Sequence, residues 1–216
     1  MRLSYVLSLL KGKRVLMSNI VKEYETRIML TESEYFEIVS HFMRLHPNKQ
    51  FLKNINIYFD TEDLYLRKNH ITFRLRTIND VRSEVTIKIK GKNGDDEIND
   101  SLSAKEVELI LKERSFPDGG VKNFLLSLPY TFDAYKEITT LYNVRLEIEE
   151  DDHLLVIDKN TYNDIVDYNL EIETKDEIES ARKHLNKYIE QFSLVNRGQK
   201  YMGKATRAIM SAIRKD

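Results

Sequence analysis

Glu23-Tyr24-Glu25-Thr26-Arg27, Arg145-Leu146-Glu147-Ile148-Glu149 and Glu171-Ile172-Glu173 each place ionised residues two apart, with uncharged residues between them. Arg74-Leu75-Arg76, Lys88-Ile89-Lys90 and Glu106-Val107-Glu108 repeat the pattern. Side chains of a strand alternate between its two faces, so each charged set points one way and its apolar partners the other. A sheet with one apolar face and one face crowded with carboxylates and cations is built to hold a ligand. Carboxylates suit hard divalent metals, and Arg and Lys suit phosphate. Together they point to a site for a metal and a polyphosphate.

The rest of the chain arranges itself around these segments. Strand one is expected over 22–30. Thr31 with Glu34 reads as a capping box, opening a helix that puts Tyr35, Ile38, Val39, Phe42 and Leu45 on one face. Strands follow over 55–60, 71–77 and 84–91, with a short turn or helix at 62–68. Residues 92–103 read as a polar, mobile loop and 105–111 as strand five, which carries Glu106 and Glu108. A turn at 117–120 and a short helix at 121–128 lead to strand six (136–150), strand seven (154–160) and strand eight (167–174). A helix capped by Asp176 and a last helix over 199–213, with Lys200, Lys204 and Arg207 on one face, close the chain. The five histidines are scattered singly and show no ligand spacing.

The 216 residues suffice for one domain with a full core. At 32% charged and 41% hydrophobic, the composition is that of a soluble globular chain. A net charge of −1 gives no global attraction to nucleic acid or to an anionic membrane. The absence of cysteine excludes disulfides, thiolate metal sites and cysteine catalysis, and fits a cytoplasmic location. No apolar run approaches the ~20 residues that span a bilayer. Residues 1–16, basic and without acids, read as an over-extended start or a tail. Met17 then reads as the natural start, and 17–216 as a single domain.

An open sheet with solvated charges is the common outcome for charged alternation. Three features favour closure here. Charge occupies nearly every inward position, like charges repeat within single strands, and eight strands are enough to close a barrel around a lumen. Like charges two apart in a strand, about 7 Å from each other, tolerate enclosure only with opposite charges or a bound ion. The expected fold is therefore α+β, an eight-stranded antiparallel closed barrel with helices packed outside.

Taken in order, these segments resemble the CYTH domain, the triphosphate tunnel metalloenzyme superfamily, and within it a bacterial YjbK-like subgroup. Glu23-x-Glu25-x-Arg27 resembles the opening E-x-E-x-K signature, with Arg in place of Lys. The stretch over 56–76 is similar to the family's Y-F-D-T and R-x-R segments, and 85–91 to its T-x-K strand. The stretch KEVEL resembles its central acidic strand, 139–149 its Arg-bearing strand, and 154–174 its closing Asp and E-x-E strand. The resemblance implies a metal-dependent triphosphatase, with inorganic triphosphate as the expected substrate. Adenylate cyclase, or a non-catalytic polyphosphate or nucleotide sensor, is the alternative. It implies Mg²⁺ or Mn²⁺ held by Glu23, Glu25, Glu171 and Glu173. Arg27, Arg74, Arg76, Lys88, Lys90, Arg145, Lys200 and Lys204 would bind phosphate. Glu106 and Glu108, with Arg27, would be catalytic, holding a second metal or orienting water. Asp158 is either a further tunnel acid or a turn residue. The implied partner is a triphosphate-containing small molecule, with neither nucleic acid nor membrane, and homodimerisation is left open.

Overall fold

The computed structural model describes residues 20–91, 94–196 and 202–214. Its eight antiparallel strands are β1 (Ile20–Leu30), β2 (Leu52–Asp60), β3 (Ile71–Ile78), β4 (Arg82–Ile89), β5 (Asp95–Leu102), β6 (Lys136–Glu149), β7 (Leu154–Tyr162) and β8 (Ile165–Thr174). They form a closed barrel in the order β1-β5-β4-β3-β2-β6-β7-β8. The helices are α1 (Glu32–Leu45), α2 (Tyr65–Lys68), α3 (Ala104–Glu113), α4 (Gly120–Leu126), α5 (Ile178–Gln191) and α6 (Lys204–Ile213). The expected start segment 1–16 and Lys200 lie outside the described residues.

Alternation sorts each strand into an outer apolar and an inner polar face. Two apolar shells wrap the outside. Phe73, Leu75, Val85, Ile87 and Ile98 of β3, β4 and β5 are buried under Leu66, Ile110, Phe124 and Leu125. Ile28, Leu146, Ile157, Leu170 and Ile172 are buried under Ile38 and Phe42 of α1 and Ala181, Leu185 and Tyr188 of α5. Each large side chain so buried contributes about 1.5–3 kcal/mol relative to exposure. α1 starts where expected, at a complete Thr31–Glu34 capping box. α6 differs from the outer helices: Ala208 and Ile209 pack on Tyr58, Leu141 and Tyr162, which alternate with the outer-face residues of their strands. This helix therefore lies against the inner face and closes part of the lumen.

Two expectations are corrected: α5 starts after Glu177 with no side-chain cap, so Asp176 does not cap it, and the segment after β4 is reassigned. The polar segment 92–103 is not a loop: Asp95–Leu102 is β5, the strand that links β4 to β1 and completes the barrel. The residues expected as strand five form α3 instead. Ser103 and Glu106 make a second full capping box, and Ile110 is buried with Val107 and Leu111 packed beside it. Helical spacing of these three residues, with a capped start, prevails over the short Glu-Val-Glu alternation.

Candidate functional site

The lumen encloses about 650 Å³ and is lined mainly by charged side chains from the inner strand faces. Register pairs unlike charges across neighbouring strands: Arg27 lies opposite Glu171, Arg145 opposite Asp158, Arg76 opposite Glu84, and Lys88 opposite Glu97. It also sets Glu25 opposite Glu173 and Glu23 opposite Asp95. Like charges directly opposite are destabilising, so this side of the lumen requires cations.

Side-chain cations meet part of that requirement. Arg27 reaches Glu25 at 2.6 Å and Glu171 at 2.8 Å. Lys88 lies 2.9 Å from Glu97 and 3.5–3.6 Å from Glu25, Glu23 and Asp95. Lys204, at the start of α6, joins Asp158 (2.8 Å) and Glu171 (3.0 Å). Arg145 donates two hydrogen bonds to Asp158, at 2.8 and 2.9 Å, and lies 3.6 Å from Glu171 and 3.8 Å from Glu173. Asp158 is fully buried and belongs to the lumen, not to a turn.

The opposite wall is basic. Arg74 and Arg76 share Glu84, at 3.3 and 3.4 Å, and Arg76 also donates to Asn56. Lys90, Arg67 and His70 line the same cavity. Burial, with Arg74 and Arg145 nearby, pushes the Arg76 guanidinium down to about 10. Its positive charge is thus undercompensated, the condition in which a bound anion is most strongly favoured.

The acids are tuned apart. Burial, reinforced by Glu97, raises the Glu23 carboxyl to about 7 despite Lys88. Burial would also raise Glu25, but Arg27 and Lys88 hold it well below the usual carboxylate range. Burial opposes ionisation of Asp158 too, and Arg145 and Lys204 override it. Glu25, Glu171 and Glu173 bring one oxygen each within 4.8 Å of one another. An all-oxygen set of this kind fits a hard divalent cation such as Mg²⁺ or Mn²⁺.

The structure thus gathers Glu23, Glu25, Arg27, Arg74, Arg76, Lys88, Lys90, Arg145, Glu171, Glu173 and Lys204 around one lumen. It places Glu106 and Glu108 elsewhere. Both lie on α3, on the outside, where Glu106 caps the helix through Ser103 and Glu108 pairs with Lys112 at 2.6 Å. The lumen acids from this part of the chain are Asp95 and Glu97 of β5. Glu84 and Asn99 line the lumen without any expectation from sequence, and Glu147, read as one of the ionised strand residues but given no role, joins them. Glu84 was legible as the residue two and four before Thr86 and Lys88. Asp95 and Glu97 were hidden among acids that face both ways.

A family model described as the CYTH domain matches residues 21–198. The chain is 33% identical over 178 residues to YjbK of Bacillus subtilis (strain 168), a protein provisionally named a triphosphatase; the match covers 82% of this chain and 90% of that one. A crystal structure from Bacillus halodurans, provisionally named an adenylate cyclase, superposes with a TM-score of 0.78 at 27% identity, over 88% of this chain and 98% of that one. HpAC1 from Hippeastrum, provisionally named an adenylyl cyclase and described as having a dominant triphosphatase activity, shares the fold at a TM-score of 0.64 and 17% identity, over 88% of this chain and 93% of that one. The chain belongs to the CYTH domain family.

Proposed function

We propose that this member of the CYTH family hydrolyses a triphosphate bound in its lumen, inorganic triphosphate being the preferred substrate, with Mg²⁺ or Mn²⁺. The observation that carries the reading is the bipolar lumen, with clustered carboxylates on β1 and β8 facing the guanidinium groups of Arg74 and Arg76 on β3, of which Arg76 is undercompensated. Arg74, Arg76 and Arg145 receive the phosphate oxygens, since a planar guanidinium fits phosphate in a fork. Lys88, Lys90 and Lys204 add point charge along the chain of phosphates. Phosphoryl transfer asks mainly for positioning and charge stabilisation, and a preorganised lining provides both.

Glu25, Glu171 and Glu173 hold the cation. Such an ion, when bound, neutralises phosphate oxygens and helps orient a hydrolytic water. Arg27 spans Glu25 and Glu171 and keeps them ionised and in place; unlike the signature Lys, it cannot yield a proton. Glu23 stands beside this cluster with a carboxyl that titrates near 7. A group so poised is suited to accept the proton of the attacking water near neutral pH. Glu97, beside Glu23 and bonded to Lys88, takes the place that Glu106 and Glu108 were expected to fill.

The test is orthophosphate release from inorganic triphosphate, ATP and thiamine triphosphate, with Mg²⁺, with Mn²⁺ and with chelator. A Glu25→Gln, Glu171→Gln double variant is run in parallel. Metal-dependent release, lowered at least ~100-fold in the variant, is expected. Cyclic AMP with pyrophosphate from ATP would replace this reading with a cyclase. Ligand-induced thermal stabilisation without any turnover would replace it with a binding protein.

A further inference from the structure

On the outside of the barrel, the tight turn between β6 and β7 meets the middle of α5. Asp152 and His153 come from the turn and His184 from the helix. The three offer one ligand atom each, all within 4.8 Å of one another. The Asp152 carboxylate bridges the edges of the two rings, with Oδ1 2.8 Å from Nδ1 of His153 and Oδ2 3.2 Å from Nε2 of His184. The imidazoles stack with centroids 4.1 Å apart and planes 21° apart. Both are buried at the side chain, and Asp152 is exposed.

We propose that Asp152, His153 and His184 form a second metal site, selective for a borderline transition ion of the Zn²⁺ class and separate from the hard-cation site of the lumen. Two imidazoles and a carboxylate, with a fourth position open to water through exposed Asp152, form a ligand set that suits Zn²⁺, Ni²⁺ or Co²⁺ far better than Mg²⁺. Donors held about 2.0–2.1 Å from a tetrahedral ion lie roughly 3.3 Å from one another. The observed 2.8 and 3.2 Å separations are within about half an ångström of that value, and ligation also requires the two stacked rings to tilt apart so that both nitrogens face the ion.

The surroundings support the assignment. Nε2 of His153 lies 2.9 Å from the Tyr188 hydroxyl, one helical turn beyond His184. The Tyr188 oxygen can accept a hydrogen bond from the Nε2–H that His153 carries when Nδ1 binds an ion, the usual outer-shell support for a ligating histidine. His184 lacks a matching outer partner, since its Nδ1 is buried and unbonded. Missing outer support of this kind costs 10–100-fold in affinity. The expected strength is therefore micromolar, that of an exchangeable site that pins α5 to the β6–β7 turn.

The experiment is a titration of the full chain with Zn²⁺, and with Co²⁺ followed by visible absorption. Wild type, His184→Gln, Asp152→Asn and Glu25→Gln, Glu171→Gln proteins are compared, with unfolding monitored for each. One micromolar equivalent is expected in the wild type, with the intense visible band of tetrahedral Co²⁺ and a rise in unfolding temperature. Its affinity should fall at least 10-fold in His184→Gln and in Asp152→Asn, and it should persist in the lumen variant. Binding that survives His184→Gln, or that disappears with the lumen carboxylates, would overturn the proposal. Were His184→Gln to lose the native fold, Asp152→Asn at the exposed turn decides alone. Neither variant is expected to change triphosphate hydrolysis in Mg²⁺.

Discussion

Replacing Asp158 by Asn removes one negative charge from the most buried part of the lumen with almost no change of shape. The carboxylate is fully buried and serves two cations, Arg145 through two hydrogen bonds and Lys204 at 2.8 Å. An amide keeps at best one acceptor and turns its NH₂ toward a cation. Removing one partner of a buried ion pair costs about 3–5 kcal/mol, because the other charge is left uncompensated. Here Glu171 stays within 3.0 Å of Lys204 and 3.6 Å of Arg145, so the lower end applies, about 3 kcal/mol. For a domain of this size that is a fall of about 6–12 °C in unfolding temperature. Calorimetry and urea unfolding at pH 7, with chelator present, measure it. The Asp158 carboxyl is depressed in the folded state, so its contribution is complete above the usual carboxylate pKa and is lost as pH falls below it. The difference between wild type and variant should therefore begin to shrink below about pH 4 and go on shrinking, by at most about 1.4 kcal/mol per pH unit, as the pH falls further. Inorganic triphosphate should raise the variant's unfolding temperature more than the wild type's, because phosphate replaces the missing charge. A loss under about 1 kcal/mol, or a difference between the proteins that persists undiminished at low pH, would refute the ion-pair account.

Glu106→Gln, Glu108→Gln should leave triphosphate turnover within about twofold, because both side chains lie outside the barrel. Ser103→Ala should cost about 1 kcal/mol of stability through the lost cap, measurable by urea unfolding. Folded Glu23 binds its proton more tightly than the unfolded chain does, so its contribution to stability declines as pH rises from about 4.5 toward 7. Glu23→Gln should flatten that part of the stability–pH curve measured in chelator. Glu84→Gln frees Arg74 and Arg76 from their shared, partly exposed carboxylate. It should lower KM for triphosphate roughly threefold, the equivalent of about 0.5–1 kcal/mol, and an unchanged or raised KM would count against a phosphate role for those arginines.

Much of this protein is legible in its sequence because strand side chains alternate with a period of two. Charged residues two apart in Glu23–Arg27, Arg74–Arg76, Lys88–Lys90, Arg145–Glu149 and Glu171–Glu173 select a polar face and, with the apolar residues between them, a core face. Most lumen residues follow from that; the count of eight strands holds only because 105–111, which is a helix, stood in for β5, and the α1 cap rests on Thr31 and Glu34 instead. Glu106–Glu108 shows where the period misleads. Three residues of alternation also fit a helix, and only the packing of Ile110 under β5, with the Ser103 cap, decides for α3. Asp95–Leu102 carries acids at successive positions, so local pattern cannot say which face is inside; pairing with β1 on one edge and β4 on the other does. Asp158 is likewise ambiguous until the register sets it opposite Arg145. The histidines carry no signal at all in sequence, because His153 and His184 lie 31 residues apart and meet only when α5 crosses the β6–β7 turn. The sequence by itself determined which residues are charged and which way each regular strand turns them. Only the tertiary structure decided which charges meet, because barrel closure and register are set by contacts between segments far apart in the chain.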